Sequence, residues 1–200
     1  MGKALAAWMM LTSVMAAPAA GPRQTVETAT LRVIGMLQES GPRGRSEIDR
    51  RAEIRRIAHD LLDFTEVGRR ALSRYWAART PEEQAEFVGL LTDLLERSYM
   101  TRIEAYAGER IVYTGQAVDG TYATVRSTVI TPRRSEIRLD YRLHLRDSRW
   151  RVYDVLIDGT SVVSTFRTQF DRIIQAESYG VLVERLRKRA IAAAPGEPAR

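Results

Sequence analysis

The strictest pattern in the chain runs from Ile137 to Arg146. Ile137, Leu139, Tyr141, Leu143 and Leu145 alternate there with Arg138, Asp140, Arg142, His144 and Arg146. Successive side chains of a strand point to opposite faces, so this period of two predicts a β-strand with one oily and one charged face. Ile111 to Val118 and Tyr122 to Thr131 read as two earlier strands joined by a tight turn at Asp119-Gly120, and Pro132-Arg133-Arg134 leads into the alternating one. Trp150 to Ile157 is a fourth. Regular alternation sets Val152 and Leu156 to one side and Tyr153, Val155 and Ile157 to the other, so both faces are predicted to be covered. The short connections predict an antiparallel meander.

Helical spacing dominates the flanks. Gln24 to Gln38 predicts a modest amphipathic helix burying Val26, Leu31, Ile34 and Leu37, broken by Gly41-Pro42-Arg43-Gly44. Ser46 is placed to cap a second helix reaching about His59. Asp60 to Phe64 forms a connection, and a third helix reaches about Trp76. Thr80-Pro81-Glu82-Glu83 combines an N-cap, a first-turn proline and a capping-box glutamate. The helix it opens extends to about Tyr106, with Phe87, Leu91, Leu94, Leu95, Ile103 and Tyr106 as its stripe, Tyr99 beside it and Gly108 at its end. After the strands, Asp158-Gly159 turns into a helix from Ser161 to Ala176 that carries Val162, Val163, Phe166, Phe170, Ile173 and Ile174 on one face. Tyr179 to Ile191 is the last helix. So tight a strand–helix junction predicts that its two oily faces pack together. The expected fold is α+β: a curved four-stranded antiparallel meander wrapped by N-terminal and C-terminal helices over one sheet face.

The ends change the picture. Lys3, the apolar run Ala4 to Met15 and the small residues around Ala16 to Ala19 predict a signal peptide over 1–17, cut near 16–19. That run is too short to span a bilayer, which takes roughly 20 apolar residues. A single domain over 20–191 and a disordered proline-containing tail over 192–200 follow. The chain has no cysteine, which excludes disulfides and lipid attachment at a leader-proximal cysteine. Export predicts the periplasm. The formal net charge is +6, of which the leader carries only Lys3; this balance suits anionic partners, and export argues against nucleic acid.

Candidate chemistry is sparse. Two histidines, His59 and His144, are both expected at the surface, and without cysteine they make no metal set. No serine nucleophile elbow or phosphate loop is present. Asp140, Asp154, Tyr141 and Tyr153 are the candidate acid/base groups of a small-molecule enzyme. The simpler expectation pairs the two aspartates with neighbouring arginines across the sheet. Arg50-Arg51, Arg55-Arg56 and Arg185 to Arg189 read as solvated helix faces or as an electrostatic handle.

A series of elements from Asp63 to Leu186 carries a family resemblance. In order these are Arg70-Ala71-Leu72 with Tyr75-Trp76, Thr80-Pro81-Glu82-Glu83 leading to Glu86-Phe87, then Leu94-Leu95 with Tyr99. Ile103-Glu104-Ala105-Tyr106, Asp140-Tyr141-Arg142-Leu143, Trp150 to Val155 and Arg167-Thr168-Gln169-Phe170 complete it. By these the chain resembles the MlaC, or toluene-tolerance, family of periplasmic phospholipid-binding proteins. It departs from the family at Thr160, Val163, Thr165 and Phe166, where Val, Leu, Asn and Tyr are commoner. The resemblance implies a monomeric carrier, not an enzyme and without a cofactor, that shuttles glycerophospholipid. Its implied partners are an outer-membrane lipoprotein–porin complex and an inner-membrane ABC transporter with an MCE-domain subunit, and its implied role is keeping the outer membrane asymmetric. A hopanoid cargo, as for a relative in hopanoid-producing bacteria, stays open beside phospholipid.

The family's pocket for acyl chains points to Tyr99, Ile103, Tyr106, Leu139, Tyr141, Leu143, Val152, Val163, Phe166 and Phe170 as its lining here. Physics sets the demand on such a wall. Two acyl chains hold roughly 30 methylenes at about 0.8 kcal/mol each, so exposing them costs on the order of 20 kcal/mol. The same apolar stripes equally describe a filled core.

Overall fold

The computed structural model describes residues 20–38, 46–189 and 191. The predicted signal peptide, the Gly41 to Gly44 break and the predicted tail lie outside the described residues. Helix α1 spans Pro22–Gln38 and α2 spans Glu47–Leu61, with the Ser46 hydroxyl accepting from the Asp49 N–H as its cap. Helix α3, Phe64–Leu72, is capped by a residue expected in a connection: the Asp63 carboxylate accepts from the Glu66 N–H. A 3-10 helix, Ser73–Ala78, continues α3 where a single α-helix to Trp76 was expected. Helix α4, Pro81–Glu104, opens on the predicted capping box, in which Thr80 and Glu83 satisfy each other's backbone N–H groups.

Strands β1 (Arg110–Asp119), β2 (Tyr122–Ile130), β3 (Glu136–Arg146) and β4 (Arg149–Ile157) form the antiparallel meander. A fifth strand of two residues, β5 (Thr160–Ser161), pairs with the end of β4, so the sheet has five strands in sequential order rather than four. The extra pairing arises because the Asp158-Gly159 turn, with φ of +49° and +83°, folds the chain straight back along β4. Helices α5 (Val162–Ala176) and α6 (Tyr179–Arg187) follow, α6 stopping short of the expected Ile191.

Two corrections concern faces. A β-bulge pairs Arg142 with Asp154 but Leu143 with Val152, which leaves Tyr153 as the additional residue. One extra residue reverses the alternation. Val152 therefore shares a face with Val155 and Ile157, and Tyr153 turns outward against the rings of Tyr122 and His144. Secondly, helices reach both sheet faces. α1 covers the inner face, where Val26 is fully buried against Val125, Leu143 and Val152, while Arg70 of α3 sets its guanidinium 3.9 Å from the Tyr153 ring on the outer side. Leu31 of α1, expected inside, is 61 % exposed; Met36 is buried instead.

Among the described residues the interior divides into three clusters. The largest is helical: Val67, Ala71 and Leu72 of α3, Phe87, Leu91 and Leu94 of α4, Val163, Phe166 and Phe170 of α5, and Leu182 and Leu186 of α6. A second joins Val26 to the inner sheet face, and a third places Met36 of α1 against Ile54 and Ile57 of α2, with Met100 and Ile103 of α4 packed on them. The oily face of α5 thus packs chiefly on α3, α4 and α6, while the helix also lies against β4.

Candidate functional site

The ten residues expected to line one wall fall into different places. Val163, Phe166 and Phe170 belong to the helical cluster, where Phe170 meets Phe87 edge-on at 5.7 Å and tilts against Phe166 at 5.6 Å. Interlocked rings of this kind fill space. Leu139, Tyr141, Leu143 and Val152 lie on the inner sheet face, and Ile103 packs on the third cluster. Tyr99 and Tyr106 lie near the end of α4, both half-buried, with Gln38 of α1 donating to the Tyr106 hydroxyl at 3.5 Å. The structure therefore divides the ten: four lie on the inner sheet face, three at or just past the end of α4, and three in the helical cluster.

Register orders the inner face. Ala123, Val125, Ser127 and Val129 of β2 stand opposite Leu143, Tyr141, Leu139 and Ile137 of β3. Burial falls along that row. Val125 and Leu143 are 0 % exposed, whereas Val129, Ile137, Leu139 and Ile111 are only half-buried. α1 closes the first end, and the second is covered less, because α4 makes at most marginal backbone contact with the strands. The inner face is thus an apolar row, most deeply buried at Val125 and Leu143 and more accessible towards Ile137.

Phenols give this region its polarity. Tyr141 is almost wholly buried, and burial holds its hydroxyl protonated far above the usual phenol range. Burial also raises Tyr99 and Tyr113. The Tyr99 hydroxyl is buried and meets no hydrogen-bonding protein group, whereas the Tyr113 and Tyr141 hydroxyls lie beside Thr30. Tyr113, on β1 opposite Ser127, was not anticipated: the β1 bulge at Thr114 puts it on the inner face, and that bulge leaves no mark in the local pattern.

The acid/base candidates do not converge. Tyr141 is on the inner face, while Asp140, Asp154 and Tyr153 face the other way. Asp154 is a structural acceptor, taking the Val163 N–H at 3.1 Å, the Ser161 hydroxyl at 2.7 Å and Arg142 at 3.3 Å, so it fastens the start of α5 to the sheet. His144 is not a surface residue. Its Nε2 lies 3.1 Å from buried Asp63, which Arg146 also approaches at 3.5 Å. His59 is exposed beside Glu96. Among the described residues no cluster of three metal-ligating side chains occurs, and no helix is long and apolar enough to cross a membrane.

An α+β domain whose meander presents a half-covered oily face to surrounding helices is the class these features define. The family model described as MlaC protein matches residues 27–188. This chain belongs to the MlaC family. A solved structure of similar architecture is the phospholipid-binding protein from Ralstonia solanacearum, determined in complex with a phospholipid. It is 26% identical, the match covers 85% of this chain and 97% of that one, and the TM-score is 0.73.

Proposed function

We propose that this chain is a periplasmic phospholipid carrier. The observation that carries the reading is the burial gradient of the inner sheet face. Its oily row is fully buried at Leu143 and accessible at Leu139 and Ile137. Acyl chains would lie along Tyr141, Leu139, Tyr99, Ile103 and Tyr106, with Leu143 and Val152 as the closed end and the head group at the open one. Val163, Phe166 and Phe170 would hold the helical core instead of touching lipid. An acyl chain needs continuous apolar contact, and an ester carbonyl accepts from a buried phenol that otherwise goes without a partner.

Support comes from the family membership and from the phospholipid bound by the Ralstonia solanacearum relative. In this reading the protein leaves the cytoplasm on its signal peptide and acts as a monomer. It moves lipid between an outer-membrane lipoprotein–porin complex and an inner-membrane ABC transporter with an MCE-domain subunit, sustaining outer-membrane asymmetry. Mass spectrometry of organic extracts of the purified protein tests it. Stoichiometric diacyl phospholipid is the expected result; a hopanoid would change the cargo, and an empty protein would overturn the reading.

A further inference from the structure

The arginine runs on the helices are largely spoken for. Arg51 donates to Glu104, Arg55 lies 3.0 Å from Glu96, Arg56 is held by Glu53, and Arg187 by Glu86 and Glu184. Five arginines with no carboxylate within ion-pair distance gather instead at one end of the meander. Arg110 begins β1, Arg126 is on β2, Arg138 is on β3, and Arg133 and Arg134 form the turn between the last two strands. All five are exposed. By register, Arg110 stands opposite Ile130 and Arg138 opposite Thr128, which puts Arg110, Arg126 and Arg138 on the outer face. Glu109, Glu136, Asp140 and Asp158 are the acids at that end, and Asp158 spends its carboxylate on the Arg138 backbone N–H at 2.9 Å, so five arginines leave a modest positive excess.

The same end of the sheet is where the inner row is least covered, at Ile111, Val129, Ile137 and Leu139. Guanidinium groups match phosphate oxygens with paired hydrogen bonds, and basic side chains near an anionic lipid surface strengthen attachment to it. An acidic protein would need the charge but not the accessible oily edge beside it. We infer that the β2–β3 end of the sheet docks on an anionic phospholipid bilayer. Its arginines rest on head-group phosphates and the accessible end of the inner row faces the lipid. This inference rests on the carrier reading.

The test is sedimentation of the purified protein with vesicles of phosphatidylcholine alone or mixed equally with phosphatidylglycerol. Arg126→Ser with Arg138→Ser should weaken binding to the anionic vesicles about 25-fold, roughly fivefold per arginine. Arg167→Ser with Arg172→Ser removes the same charge from the exposed face of α5 and should change binding much less. Equal weakening by the two pairs, or indifference of the parent protein to anionic vesicles, overturns the inference; in the second case an acidic protein surface is the better occupant. Because the chain has no cysteine, a polarity-sensitive fluorophore on Thr128→Cys provides a second measurement that does not depend on the arginine variants folding. It should shift on anionic vesicles while the same probe on Ala52→Cys of α2 stays unchanged, and the reverse result counts against the docking face. Lipid extraction separates the two readings: a lipid-loaded protein that fails these tests sinks only the docking, whereas an empty one sinks the carrier.

Discussion

The helical cluster and the inner sheet face are built from similar residues and solve different problems. Around Phe87, Phe166 and Phe170, four helices interlock, and every one of those rings is at most 1 % exposed. On the inner sheet face, coverage fades from Val125 and Leu143 towards Leu139 and Ile137. Apolar character alone thus does not distinguish a closed core from a partly accessible face; completeness of packing does.

The sharpest way to break this contrast is to truncate one ring on the filled side. Phe166→Ala should cost about 3–5 kcal/mol in denaturant unfolding, because it opens a cavity that the rings around it cannot fill. Whatever fraction stays folded should keep its lipid; a stable Phe166→Ala protein stripped of lipid would reverse the roles of the two regions. The joint between the regions comes next. Asp63→Ala removes the α3 cap and leaves His144 and Arg146 without their shared carboxylate, an expected loss of about 3 kcal/mol in the same measurement. A loss confined to the cap, about 1 kcal/mol, would show that the histidine contact contributes little.

On the open side the effect should appear in cargo and not in stability. Leu139→Asp is expected to lower lipid per protein several-fold in extracts, with a stability change below about 1.5 kcal/mol because the new carboxylate stays within reach of water. Unchanged lipid content would remove Leu139 from the wall. The smallest effect concerns protons. Burial raises the Tyr141 hydroxyl in the folded state, so its stabilising contribution is full below the unfolded phenol value near 10 and is lost as pH rises above it. Tyr141→Phe should flatten that alkaline decline while leaving neutral-pH stability within about 1 kcal/mol. An unaltered slope would mean that another group controls it.

Local chemistry was readable where the cause is local. The capping box at Thr80 and Glu83, the Ser46 cap and the alternation of β3 each depend on neighbours a few residues away. What escaped depends on distant partners. Nothing near Tyr153 signals a bulge, since the extra residue is tolerated only because Arg142 and Leu143 of β3 need both Asp154 and Val152 in place. The stripe of α5 was correctly located, but its cover by α3, α4 and α6 was not foreseen, because a stripe specifies an oily surface and not which elements cover it. Asp63 looked like a linker residue until the fold carried His144, 81 positions away, to its carboxylate. Of the candidate site, the inward face of β3 was legible from its alternation, whereas the place of Tyr113 was hidden by the β1 bulge.

Helix α4 belongs to both worlds. Its 24 residues make a rod about 36 Å long. Phe87, Leu91 and Leu94 seat its first turns and middle in the helical cluster, while Met100 and Ile103 pack on Met36, Ile54 and Ile57, and Arg51 bonds Glu104 in its last turn. The rod is thus gripped along its whole length and ties two separate oily clusters together. Slack introduced around Leu91 would therefore reach the seat of α1 and α2, which Leu91 never touches.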